Sequence, residues 1–142
     1  MVTLESDTMV PLPGTASKLF SLLGENNINL VFISQSSSEN NITFGFDFED
    51  TYLVGKLLRD SEFFGKKWFK IKMDSQISLV AVIGPGLLYT PGIAGKVFTT
   101  LGNNDINVKA IAQGSSELNF TAIIDRSNCK KAINVLFDAF IG

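Results

Sequence analysis

The chain has 142 residues, a formal net charge of −2, 45% hydrophobic and 18% charged residues, one cysteine and no histidine. A composition this apolar supports a packed core in one ordinary domain or two small ones. The acidic balance argues against nucleic acid or an anionic membrane as partner, and no apolar run approaches the roughly 20 residues of a membrane helix. The first residues lack the basic and apolar regions of a signal peptide, and a lone Cys129 makes no internal disulfide, so a reducing cytoplasm is the expected setting. Without histidine the commonest general base and metal ligand is missing, and one thiol cannot build a zinc site. No catalytic residue, metal or cofactor is therefore expected.

In chain order, residues 2–6 read as a short strand. Pro13-Gly14 then opens a helix whose apolar positions Ala16, Leu19, Phe20 and Leu23 follow the one-sided i, i+3, i+4, i+7 pattern. Gly24 and Asn26-Asn27 end it. Residues 28–34 are an apolar strand. Residues 41–48 alternate, with Ile42, Phe44, Phe46 and Phe48 on one face. Asp50 is the expected N-cap of a second helix carrying Leu53, Val54, Leu57 and Leu58. Residues 67–73 alternate again, with Phe69, Ile71 and Met73 opposing Trp68, Lys70 and Lys72. The order βαββαβ is that of the ferredoxin-like split unit.

The shift that carries Gln35 onto Gln113 repeats this pattern without a gap. It places Pro13-Gly14 on Pro91-Gly92, Lys18 on Lys96, Leu23 on Leu101, Ile28-Asn29 on Ile106-Asn107, and Ser37-Ser38-Glu39 on Ser115-Ser116-Glu117. Internal repetition on this scale indicates a duplicated unit. The second copy has a strand at 77–83, the loop Gly84-Pro85-Gly86, a helix with Ala94, Val97, Phe98 and Leu101, strands at 106–112 and 118–125, and a last helix carrying Ala132, Ile133, Leu136, Phe137 and Phe140. Two α+β units follow, at 1–75 and 76–142, with antiparallel sheets and helices on one face. The second lacks a fourth strand of its own.

Three repeated features can hold a ligand. A Pro-Gly helix start offers backbone N–H groups and the positive end of the helix dipole to a carboxylate, through Gly14-Thr15-Ala16 or Gly92-Ile93-Ala94. The plain alternative is an ordinary helix start. Thr90 is positioned to cap the second helix with its hydroxyl, whereas the equivalent Leu12 is not. Gln35 and Gln113 end their strands with an amide that both donates and accepts, the mixture a zwitterionic amino acid needs. The alternative is an amide serving its own loop. Asn29-Leu30 and Asn107-Val108 begin the same strands, and Ser36 and Ser115 follow the glutamines. The loop at 84–86 lacks the Gly-Lys-Ser/Thr ending of a phosphate loop.

The segments Ile33-Ser-Gln-Ser-Ser-Ser-Glu39 and Ile111-Ala-Gln-Gly-Ser-Ser-Glu117, each preceded by Pro-Gly, a helix and Ile-Asn, resemble the two ACT domains of aspartate kinases. The similarity is greatest to the threonine-sensitive class, which includes the bifunctional aspartokinase–homoserine dehydrogenases, and it spans essentially the whole chain. The resemblance implies an allosteric module that binds an end-product amino acid and lowers the activity of a kinase catalytic domain not contained here. Glutamine in place of the Thr-Ser-Glu of lysine-sensitive relatives implies threonine first and lysine next. In that family the first unit is inserted within the second, which implies that the missing strand comes from a segment before Met1. The rival expectations are an ACT module that only pairs subunits, and a ferredoxin-like enzyme or RNA binder, which the absent histidine and acidic charge disfavour. The apolar second strands, 28–34 and 106–112, imply edge pairing and a homodimer through the sheets.

Overall fold

In the computed structural model the chain is described over residues 1–6, 14–35, 41–66, 69–84, 90–113 and 119–142. Two units divide it at Ser75/Gln76. The first contains β1 (Val2–Ser6), α1 (Thr15–Glu25), β2 (Leu30–Gln35), β3 (Asn41–Phe46), α2 (Thr51–Asp60) and β4 (Phe69–Met73). Its sheet runs β2-β3-β1-β4, and every described pairing is antiparallel. The second contains β5 (Ile77–Ile83), α3 (Ile93–Asn103), β6 (Val108–Gln113), β7 (Asn119–Asp125) and α4 (Cys129–Phe140), with a sheet of order β5-β7-β6. This is the expected α+β architecture of two antiparallel sheets, with four strands described in the first unit and three in the second.

Each helix covers its sheet because its apolar stripe has only that surface on which to leave water. In the first unit Leu19 and Leu23 of α1 and Val54 and Leu58 of α2 close on Val2, Leu4, Ile42 and Phe44. In the second, Val97, Leu101, Ala132 and Leu136 close on Val80, Ala122 and Ile124. Each such Leu, Val or Ile contributes about 1.5–3 kcal/mol by burial.

The helix ends repeat in detail. Asn27 and Asp105 both take φ 58°. Behind them Ile28 N–H reaches the Leu23 carbonyl at 3.0 Å and Asn27 N–H reaches Gly24 at 3.1 Å; Ile106 and Asp105 do the same with Leu101 and Gly102, at 3.0 Å each. This double return bond around a left-handed residue is the Schellman closure. Gly24 and Gly102 therefore lie inside the last helical turn rather than ending it.

Other boundaries move inward. β3 stops at Phe46; a 3-10 turn follows over Phe48–Asp50, and Phe48 is 67% exposed instead of joining the inner face. Asp50 occupies the N-cap position of α2, but its side chain makes no cap hydrogen bond. Asn29 and Asn107 precede β2 and β6 instead of lying within them.

The outer faces of the sheets differ. Gly45 lies between the inward-facing Phe44 and Phe46, so it faces away from the helices, and its cross-strand partner is Phe32. A Cβ at Gly45 would overlap the Phe32 ring. The equivalent pair in the second unit is Ala110 opposite Ile123, in the same register and beside the same strand irregularity. Large and small have changed places.

Candidate functional site

Both candidate helix starts are built alike. Gly14 (φ 79°) and Gly92 (φ 85°) are the N-caps of α1 and α3 in the left-handed region, with no side-chain cap bond at either. Glycine suits these positions because other residues pay for a positive φ. Among the described residues a Cβ at either would meet nothing within 4 Å. The first helical hydrogen bonds run from Lys18 N–H to the Gly14 carbonyl and from Lys96 N–H to the Gly92 carbonyl, each 2.9 Å. The amides of Ala16 and Ser17, and of Ala94 and Gly95, thus have no acceptor within their own helices. They point with the positive end of the dipole, an arrangement suited to a carboxylate. Pro91 precedes the cap rather than occupying the first helical position, and Gly92, not Thr90, is the cap. The expected contrast between Thr90 and Leu12 falls outside the described residues, with Leu12 and Pro13.

Thr15, Ala16 and Ile93 are half-buried, and Gly14, Gly92 and Ala94 exposed. Asn29 and Asn107 are exposed just ahead of β2 and β6, and Leu30 and Val108 are half-buried as the first strand residues. Gln35 and Gln113 end these strands, paired in the backbone ladder with Ile42 and Phe120. Their side chains, together with Ser36 and Ser115, lie outside what the structure describes. Within each unit the fold places a glycine-capped helix start, an asparagine and a strand-terminal glutamine at fixed places in the repeat. β2 and β6 are the edges of their sheets, with Val31, Ile33 and Ile111 about half exposed.

A second repeated contact supports each helix. Lys18 Nζ lies 4.0 Å from the Phe63 ring centroid, and Lys96 Nζ lies 4.6 Å from that of Phe140. Sequence reading missed this pairing because the partner rings do not align under the repeat. It also missed the turn after α2, where Ser61 Oγ accepts from the amides of Phe63 and Phe64 at 3.2 Å each.

Comparison with known proteins follows the same division into units. The family model described as "ACT domain" matches residues 2–61 and again 80–140. The chain belongs to the ACT domain family. Among curated relatives, an Arabidopsis thaliana bifunctional aspartokinase/homoserine dehydrogenase 1 is 32% identical over 99% of this ACT pair. The match covers 16% of that relative, so the chain spans about one-sixth of its length. Among solved structures, the ligand-free regulatory subunit of aspartate kinase from Thermus thermophilus superposes with a TM-score of 0.83 at 22% identity, covering 98% of this chain and 90% of that one. The E. coli aspartokinase III complexed with lysine and aspartate superposes with a TM-score of 0.76 at 24% identity, covering 99% and 31%. The ACT pair thus matches the regulatory region of aspartokinases. Among the described residues no helix is long and apolar enough to cross a membrane.

Proposed function

We propose that this ACT pair is the allosteric regulatory module of an aspartate kinase, located in the cytoplasm and without catalytic activity of its own. It binds an end-product amino acid, threonine first and lysine next, and transmits occupancy to a kinase catalytic domain on the same polypeptide or in a separate subunit. The observation that carries this reading is the twofold recurrence of a glycine-capped helix start with no side-chain cap bond, an asparagine ahead of the next strand and a glutamine at that strand's end. The effector carboxylate is taken by amides at Gly14-Thr15-Ala16 or Gly92-Ile93-Ala94. Gln35 or Gln113 reaches the ammonium or hydroxyl; Asn29, Leu30 and Ser36, and Asn107, Val108 and Ser115, are the other candidate binding residues. The 1–75 and 76–142 units act as one ACT domain each, and the second completes its sheet with a strand from the segment that precedes Met1.

Calorimetric titration with threonine, lysine and methionine, repeated on Gln35→Ala and Gln113→Ala, tests this. Losing hydrogen bonds to a charged ligand costs about 1.5–3 kcal/mol each, at least a tenfold loss of affinity. Unchanged affinity in both single variants and in the double variant rejects the site. A second reading, an ACT module that pairs subunits into a homodimer and binds nothing, is favoured by the exposed Val31, Ile33 and Ile111 on edge strands. No heat with any of the three amino acids, together with a stable dimer, would establish it.

A further inference from the structure

Among the described residues no strand pairs with the second side of β5, and beside that side lies an apolar groove of about 240 Å³. It is lined by Val80–Ile83 of β5 and by Ile133 and Phe137 of α4, with Ile141 beyond the helix. The same repeat shift carries Val2–Glu5 of β1 onto Val80–Ile83, and the pairings Val2↔Phe44 and Val80↔Ala122 confirm that equivalence in three dimensions. In the first unit, residues Val2–Glu5 pair with β4, in the register Val2↔Met73, Leu4↔Ile71 and Ser6↔Phe69. The groove therefore occupies the place that β4 fills in the other copy.

The two walls are not interchangeable. Where α4 has Ile133, α2 has Gly55, and a Cβ at Gly55 would already lie 3.3 Å from Met73 Sδ and 3.0 Å from Arg59 Nη1. Met73 thus uses the space above a glycine. Ile133 adds three further carbons at that point, and it is 53% exposed in the absence of a strand. Where α4 has Phe137, α2 has Arg59; Phe137 and Ile141 are 55% and 73% exposed. An incoming strand finds a helix wall that is bulkier and uncharged at these points.

Resting on the strand-completion reading above, we propose that the groove selects a strand with a small side chain, alanine or glycine, opposite Val80, where β4 has Met73. Apolar residues two and four places earlier lie opposite Val82 and Gly84, as Ile71 and Phe69 lie opposite Leu4 and Ser6. Size is set by Ile133: a methionine there meets a filled site, and overpacking a close-fitting contact is as destabilising as a void. The segment before Met1 is the source. The Met1 amine lies 3.0 Å from the Asp74 carbonyl, three residues ahead of β5. A strand antiparallel to β5 ends beside the start of β5, which the chain itself ties through three residues to the carbonyl that the Met1 amine meets. One-tenth of the Thermus regulatory chain has no counterpart here, more than the five or six residues of an ordinary strand. The β5 edge itself carries no charge and no proline, so nothing in it opposes strand addition.

The test uses the 142-residue chain and two dye-labelled synthetic peptides, residues 68–75 as they stand and the same segment with Met73→Ala, followed by fluorescence anisotropy. The alanine peptide should bind at least about tenfold more tightly, and Ile133→Gly, or the milder Ile133→Ala, should erase or reverse that preference. Phe137→Glu should abolish binding of both, with circular dichroism confirming that each variant is folded. Equal binding of both peptides, or a preference that Ile133 substitution leaves untouched, overturns the size rule alone. No binding of either peptide to any of the folded proteins overturns strand completion itself. Self-association that Phe137→Glu abolishes and the peptides do not displace would give the groove to a second copy and overturn the proposal.

Discussion

The two ACT units keep the same backbone and distribute side-chain volume in opposite ways. Behind the sheet, the first pairs Phe32 with Gly45 and the second Ala110 with Ile123. On the helix side, the first pairs Gly55 with Met73, while the second has Ile133 and no described strand against it. What the duplication preserves is register, left-handed caps and total fill; what it leaves free is which strand supplies the bulk. Close packing demands a filled volume at each crossing, not a particular residue.

The sharpest way to break this comparison is to move one half of an exchange. Gly45→Ile drives a branched side chain into the Phe32 ring and should cost about 3 kcal/mol or more. Phe32→Ala with Gly45→Ile rebuilds the second unit's arrangement and should recover at least half of that loss in urea unfolding. A double variant no more stable than the single one would mean that the two positions do not compensate. Ile123→Ala, which empties the fully buried side of the other pair, should cost about 2–4 kcal/mol.

Smaller effects sharpen the likeness between the units. Gly14→Ala and Gly92→Ala should each lose about 1–2 kcal/mol from the positive φ alone, since neither position is crowded. Equal shifts in thermal melting are expected, and a clear inequality would show that the two helix starts are not equivalent. Lys18→Met and Lys96→Met should each lose about 0.5–1 kcal/mol with the cation–ring contact.

The smallest effect is a pH dependence confined to the first unit. In the 142-residue chain taken alone, with Met1 as its terminus, burial lowers the pKa of the Met1 amine below 8.0, against a weaker opposing pull from Asp74. Because the unfolded chain holds that proton to higher pH, stability should rise as pH climbs from the lowered folded value towards 8.0. Acetylating the amine should flatten the slope of stability against pH in that window.

Much of the fold was legible in the sequence because it depends on periodicity. The stripe Leu19–Leu23 and the alternation Ile42–Phe44–Phe46 each fit one kind of element, and the repeat supports both a second time, at Val97–Leu101 and Phe120–Ile124. Boundaries were less so: Phe48 continues the alternation in sequence, yet the chain turns at Asp47 to enter α2, and pattern does not register where a ladder ends. The close approach of Phe32 to Gly45 in the middle of β3 was not read, since cross-strand register depends on an irregularity between Leu30 and Phe32. Of the candidate site, glycine and asparagine positions were readable as a repeat. The helix cap was not, because Thr90 and Gly92 both fit cap chemistry and only φ decides between them.

The pairing of Val2 with Met73 has a consequence in time. β1 cannot complete its second ladder until the chain has grown past β4, a closure across almost the whole first unit, and long closures are slow to form. The β2–β3 hairpin, by contrast, pairs Gln35 with Ile42 across a short connection and can form early. During synthesis β1 therefore has one neighbour, β3, while its other edge waits for β4. A ribosome stalled after α2 would hold a first unit with the same three strands that are described in the second, β1, β2 and β3 answering to β5, β6 and β7.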